Sequence, residues 1–328
     1  MLADLDALTR PAILVVGDAV LDEYLFGVAT RLSREAPVPV LEFTRRFLLP
    51  GGAANPARNL AALGAPVALA AVVGADPDGA HLRDLLAAAG VVPRGLVADT
   101  ARPTTRKTRI LAEGLLRYPQ QVARLDRLSR APIAPMILAD VQAALEAELA
   151  RARAVLCSDY RAGLLTPGLV AWLRARCRAR GVLLTVDAQG DLAKYRGVDL
   201  LRCNAQEAEQ YLGRPVASDD ECRAALGTML TRLDVALVVV TRGRQGVVLQ
   251  GRDVAYTQIP GRAVEVADTT GAGDTFIAVM TLALAGGHGA VEAATLANLA
   301  AGAVVQHVGN AVLSLAELRA LLDEPSSR

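Results

Sequence analysis

Residues Asp268 to Phe276 read DTTGAGDTF, which is two acids, three threonines and two glycines ahead of an apolar run. Gly271-Ala272-Gly273 permits a backbone bend without Cβ clashes, and the apolar pattern beyond it predicts a helix whose first turn begins near Asp274. Free N–H groups and the dipole at such a terminus make an anion site. An aspartate in a first helical turn is also an ordinary capping partner. The glycine turn before it favours another use. A carboxylate beside an anion hole suits a hydroxyl that must lose its proton while attacking a phosphoryl group whose charge needs stabilising. We therefore expect Asp274 as general base, with the N–H groups of Gly271, Ala272 and Gly273 forming the anion hole.

Such a site needs a rigid frame. Continuous apolar, β-branched runs at 12–17, 67–72, 154–158, 182–187, 199–203 and 236–241 predict strands buried on both faces of a parallel sheet. Alanine-rich helical patterns lie between them, at 54–63, 78–89, 136–150, 166–180, 205–212, 219–232, 272–286 and 290–307. This alternation predicts a doubly wound α/β fold. Two segments differ, VPVLEFT at 38–44 and the stretch from Thr104 to Asp126, where TRKTRIL alternates polar and apolar residues. They predict a small antiparallel flap outside the main sheet. No linker, repeat or low-complexity stretch divides residues 1–328, which are expected to form one domain with lid segments at about 22–48 and 100–127.

Composition narrows the partners. Of the 328 residues 52% are hydrophobic and 21% charged, and no apolar run approaches the ~18 residues of a membrane span. A formal charge of +1 and 3% aromatics argue against nucleic acid and for small molecules. Cys157, Cys177, Cys203 and Cys222 show neither CxxC pairing nor metal-like spacing, which fits ordinary core thiols in a reducing cytoplasm. No signal-peptide pattern precedes Pro11. Lys107 and Lys194 are the only lysines, and His81, His288 and His307 lie outside the chemical motifs.

Dinucleotide binding is the first reading of such a sheet, yet the chain after the first strand is GDAVLD (17–22) rather than GxGxxG, and no GxxxxGK[ST] occurs. The phosphate-binding glycines are those near the C-terminal end.

Two motifs at opposite ends of the chain carry a resemblance. DTTGAGDTF is similar to the C-terminal signature of the ribokinase-like, or PfkB, carbohydrate kinases, and PGGAANPARNLAALG (50–64) resembles their N-terminal one. NAQE (204–207) matches the family's NxxE, and VTRGRQG (240–246) its nucleotide-side strand and turn. Within the family the resemblance is closest to D-glycero-β-D-manno-heptose 7-phosphate kinases, including the kinase half of the bifunctional heptose enzymes. It rests on VVGDAVLDEYLFG (15–27), RLSREAPVPVL (31–41), PTTRKTRIL (103–111), QQVARLD (120–126), LCSDYRAG (156–163) and YRGVDLL (195–201). With no room for a nucleotidylyltransferase before Arg328, the kinase alone is expected.

The resemblance implies a ribokinase-like fold, ATP as co-substrate, magnesium, and transfer of the γ-phosphoryl group to a sugar hydroxyl. It places Asp22, Gly51, Gly52 and Asn55 at the sugar. Strand alternation puts Lys107 and Arg109 on one flap face, with Arg124 on the return strand, where all three could meet an anionic acceptor. Asn204 and Glu207, one helical turn apart, would organise magnesium and the phosphates through water. Thr241 and Gly243 end a buried strand where open sheets place ligands, and Asn298 would lie near the adenine. Asp268 and Thr270 match positions that bind a monovalent cation, such as potassium, in some relatives. Flap pairing predicts a homodimer.

Three departures bear on the acceptor. Where the heptose kinases usually read DPKG, this chain has Asp187-Ala188-Gln189-Gly190, without the lysine. Where they often read TPN, it has Arg202-Cys203-Asn204, and the stretch Ala112 to Pro119 is longer than usual. A fructokinase-like or ribokinase-like enzyme for an unphosphorylated sugar is the alternative, and a silent sugar or nucleotide sensor a further one.

Overall fold

A computed structural model describes residues 5–114 and 118–323 of the chain, so 115–117, within the long stretch Ala112 to Pro119, lie outside the described residues. The strands are, in chain order, β1 (Ile13–Gly17), β2 (Ala19–Leu32), β3 (Pro39–Gly52), β4 (Val67–Gly74), β5 (Val91–Asp99), β6 (Arg106–Glu113) and β7 (Gln120–Arg127). After them come β8 (Ala154–Ser158), β9 (Leu183–Asp187), β10 (Leu200–Asn204), β11 (Leu237–Thr241), β12 (Val247–Gly251) and β13 (Thr257–Ile259). The α-helices are α1 (Ala54–Ala62), α2 (Pro77–Ala88), α3 (Pro135–Leu149), α4 (Pro167–Arg180), α5 (Ala205–Leu212), α6 (Asp219–Leu233), α7 (Ala272–Ala285), α8 (Ala290–Val304) and α9 (Leu315–Asp323).

Nine strands form the central sheet in the order β13-β12-β11-β10-β9-β8-β1-β4-β5. Pairing is parallel from β11 to β5, and antiparallel only at the β11–β12–β13 edge. The period-2 pleat of β1 shows why its residues are all apolar. Ile13 and Val15 join a core with α1, α2, α7, α8 and α9, whereas Leu14 and Val16 join one with α3, α4, α5 and α6. Helix α7 is buried from Asp274 through Ala283, as expected of a helix apolar on every side.

The second sheet has the order β3-β2-β6-β7. It carries the expected flap segments as β3, β6 and β7 in antiparallel hairpins, β2–β3 and β6–β7, which are joined by parallel pairing of β2 with β6. The six predicted strands and eight predicted helices are all present, although the helix beginning at 290 stops at Val304. Strands β2, β5, β12 and β13 and helix α9 were not predicted. Strand β5 carries Pro93 and Gly95, which hide it from an apolar-run criterion, and β12 and β13 are a short edge hairpin.

Candidate active site

Strand β1 has β4 on one side and β8 on the other, so chain order reverses across it. Open α/β sheets form their ligand crevices at such a point, beyond the strands' C-terminal ends. Buried Asp18, just after β1, accepts hydrogen bonds from the N–H groups of Tyr160, Ala162 and Leu164 at 3.0, 2.9 and 3.2 Å, fixing the loop after β8. Asp159 in that loop receives Lys194 Nζ at 2.6 Å and the Tyr195 hydroxyl at 2.7 Å. Lys194 thus has a structural partner.

Asp274 faces this loop from the first turn of α7 and is 5% exposed. Its Oδ1 accepts from the Tyr160 hydroxyl at 2.5 Å and its Oδ2 from Asn55 Nδ2 at 2.8 Å. Burial, followed by repulsion from Asp187, pushes its carboxyl up to about 7, while the bonds from Tyr160 and Asn55 and the charge of Arg202 pull the other way. A carboxylate titrating near neutrality suits proton abstraction at physiological pH.

Gly271 makes the bend, with φ of +82°, and a Cβ there would lie 2.8 Å from Asn55 Nδ2 and 2.9 Å from Asn310 Oδ1. Of the three N–H groups expected to form the anion hole, that of Ala272 donates to Thr269 O at 3.3 Å, whereas among the described residues none accepts from the N–H of Gly271, Gly273 or Asp274. Gly273 and Asp274 carry the free donors inside the first turn of α7. Gly273 is helical, so its missing Cβ serves packing: a Cβ there would lie 2.8 Å from one Arg202 guanidinium nitrogen.

Among the residues expected at the sugar, the Asp22 carboxylate lies over Gly51, where a Cβ would come within 1.9 Å of Oδ2, and Gly52 turns the chain with φ of +55°. Arg109 donates to Asp22 Oδ1 at 2.5 Å and Asn310 Nδ2 to Oδ2 at 2.7 Å. Asn55, expected at the sugar, is fully buried and gives its amide to Asp274 instead. Lys107 sits 5.0 Å over the Tyr160 ring, and burial lowers its pKa. Arg124 lies opposite Arg109 in the β6–β7 ladder as expected, but its side chain is 50% exposed and forks onto Asp126 at 2.9 and 3.0 Å.

Across the crevice, Asn204 and Glu207 make a reciprocal capping box on α5: Asn204 Oδ1 accepts from the Glu207 N–H at 2.9 Å and Glu207 Oε2 from the Asn204 N–H at 2.7 Å. Burial, with Asp187 adding to it, raises the Glu207 pKa. Thr241 Oγ accepts from Arg202 at 2.6 Å, and Gly243 begins a short 3-10 turn facing open space. Asn298 on α8 donates to Pro260 O at 2.8 Å, tying that helix to the loop after β13. Asp268 Oδ1 accepts from Thr270 N and Oγ at 2.9 and 2.7 Å, and its Oδ2 accepts from the Gly309 N–H at 2.9 Å. Among the described residues no group of three or more His, Cys, Asp and Glu side chains could hold a metal directly.

Residues 11–316 match the pfkB family carbohydrate kinase. The chain belongs to this family. It is 43% identical over 306 residues to the Bifunctional protein HldE of Geobacter sulfurreducens, covering 93% of this chain and 61% of that one. For the protein of that name from Geobacter metallireducens the identity is 44% over 309 residues, with the same shares, and for that of Caulobacter vibrioides 40% over 318 residues, with 96% and 64%. The chain thus spans less than two thirds of these relatives. Its fold matches Arabidopsis thaliana ribokinase complexed with ribose and ATP, with TM-score 0.76, 21% identity and coverage of 96% and 100%. It also matches phosphofructokinase-2 from Escherichia coli with substrates and products, with TM-score 0.78, 22% identity and coverage of 97% and 100%.

Five residues at the crevice were given no role by the motifs. Asp18 and Tyr160 stand inside GDAVLD and LCSDYRAG, but the function of each depends on a loop that meets β1 and α7 only in three dimensions. Asp187 ends β9 and Arg202 stands opposite it in β10, and the two form an ion pair at 2.7 Å. Asn310 lies far along the chain from the Asp22 it binds, and no local pattern marks it.

Proposed function

We propose that the chain is an ATP-dependent kinase that phosphorylates a sugar hydroxyl, with D-glycero-β-D-manno-heptose 7-phosphate as acceptor and the 1,7-bisphosphate as product. The observation that carries the reaction is Asp274, buried, raised to about 7 and placed beside the free N–H groups of Gly273 and itself. The heptose assignment draws on the sequence resemblance and on the relatives named above.

In this reading Asp22 and Asn310, backed by Gly51 and Gly52, receive the sugar hydroxyls, and Asp274 takes the proton of the attacking one. Asn55 and Tyr160 orient the base. The N–H groups of Gly273 and Asp274 accept the charge that develops on the phosphoryl oxygens. Thr241, Gly243 and Asn298 line the nucleotide side. A magnesium ion neutralises phosphate charge when bound, and Glu207, half-buried near Asp187, fits one held through its waters. We place a monovalent cation at Asp268 and Thr270. The β2–β3 and β6–β7 sheet covers the sugar as a lid.

A coupled assay of ADP release tests the reading across sugars and sugar phosphates, with magnesium titrated. No turnover on any of them removes the kinase assignment, and preference for an unphosphorylated sugar replaces the acceptor.

Because the base must be unprotonated, kcat/KM is expected to fall as pH drops through about 7. The Tyr160 hydroxyl stabilises the carboxylate, so Tyr160→Phe should move that acid limb to higher pH. A limb that stays put, or moves lower, would take Tyr160 off the base.

Leu32, Phe43 and Leu125 stand 70%, 68% and 66% exposed on the second sheet, and we place a homodimer contact there. Sedimentation of the intact chain should show a dimer at micromolar concentration; a monomer removes the contact. Among the described residues no helix is long and apolar enough to cross a membrane, and the four cysteines are free and buried, which fits the cytoplasm.

A further inference from the structure

The buried cation at the end of β10 has no assigned task. Arg202 is 9% exposed, with one guanidinium nitrogen 2.7 Å from Asp187 Oδ1 and another 2.6 Å from Thr241 Oγ. Its Nε is buried without a hydrogen-bond partner among the described residues. The guanidinium lies where a side chain on residue 273 would go, since a Cβ on Gly273 would stand 2.8 and 2.9 Å from its two terminal nitrogens. It therefore packs against the first turn of α7 at Gly273.

That placement is unfavourable by itself. A helix N-terminus carries partial positive charge and repels a cation. Asp187 offsets part of the repulsion, but the guanidinium keeps an unpartnered N–H and packs against a helix end that holds free backbone donors. Donors from a side chain and a helix end held side by side suit an anion with several oxygens.

We propose that Arg202 binds the γ-phosphoryl group of the nucleotide, holding it with the N–H groups of Gly273 and Asp274 as it transfers to the acceptor. The proposal rests on the Asp274 turn being the transfer site. It also accounts for two of the sequence departures together. The chain lacks a lysine at Gln189 and carries an arginine at position 202, and these positions lie at neighbouring strand ends, where the Ala188 N–H donates to Arg202 O at 3.0 Å. One cation has moved from the loop after β9 to the end of β10. A planar fork can hold Asp187 and a phosphoryl oxygen at once, which a lysine point charge does less well.

The alternative is that Arg202 only neutralises Asp187. Calorimetric titration of the intact protein separates the two, using ADP and the non-hydrolysable β,γ-imido analogue of ATP, both with magnesium, on wild type, Arg202→Gln and Arg202→Lys. A charge-assisted contact to the third phosphate should make Arg202→Gln lose roughly tenfold or more in affinity for the triphosphate. Its affinity for ADP should change by about twofold or less, with Arg202→Lys between the two proteins. Arg202→Lys retains the cation beside Asp187 and decides the question if the glutamine variant does not fold. An unchanged gap between triphosphate and diphosphate affinity in the folded variants overturns the proposal alone. Wild-type protein that binds neither nucleotide overturns the transfer-site reading and this proposal with it.

Discussion

Asp274→Asn is expected to lower kcat by roughly 100-fold or more and to leave nucleotide affinity close to that of the wild type. The substitution keeps size and position, so the Tyr160 hydroxyl can still donate to the side-chain oxygen. The other end becomes an amide nitrogen facing Asn55 Nδ2, two donors where one bond was. Asn55 can turn its amide at small cost, because its own Oδ1 accepts only a long 3.4 Å bond from Asn59. Burial and Asp187 disfavour the charged form of Asp274, so the neutral amide does not threaten the fold. What the variant lacks is the ability to take a proton. Single-turnover and steady-state rates, measured beside calorimetric nucleotide binding, check this. Near-wild-type turnover would mean that another group accepts the proton, and the mechanism built on this turn would fall.

The frame of this site was legible because parallel strands buried on both faces leave continuous apolar runs, as at 12–17 and 236–241. The long β2 was missed because its fourteen residues begin buried and end exposed, so no single period describes it. The candidate site was legible where one local segment holds both the bend and the acid, at Gly271 to Asp274. It was illegible where partners come from separate elements, as with Tyr160 on the β8 loop reaching Asp274 on α7. The pattern NxxE shows the same boundary from the other side. Spacing alone put Asn204 and Glu207 on one face, but did not reveal that their first use is to cap α5 for each other. Arg202 was visible as a departure, and only its packing against Gly273 turns that departure into a function.

The acceptor's phosphate should be recognised chiefly by Lys107, and the three flap cations should now separate rather than act alike. Lys107 is half-buried, its pKa is lowered by that burial, and among the described residues it makes no ion pair within 4 Å. Asp22 and Asp126 stand opposite it on the neighbouring strands but neither makes a contact pair, and a desolvated cation without a contact partner is poised for an anionic ligand. Arg109 is different, because it holds Asp22 at 2.5 Å and so supports the carboxylate proposed to bind the sugar whatever the acceptor carries. Arg124 is half exposed and already forked onto Asp126, which leaves it a surface pair of small value. A contact to a phosphate near charge −2 is worth about 1.5–3 kcal/mol. Lys107→Ala should therefore raise the KM for heptose 7-phosphate roughly tenfold or more, with little effect on an unphosphorylated sugar or on ATP. Arg109→Ala should raise KM for both kinds of acceptor, since Asp22 loses a support in either case. Arg124→Ala should change neither by more than about twofold. Initial-rate kinetics of the three variants with both acceptors make the comparison. A loss in Lys107→Ala that is equal for the two acceptors would assign the lysine to the transferring phosphoryl group. Normal binding of the phosphorylated acceptor by all three variants would withdraw the heptose 7-phosphate assignment.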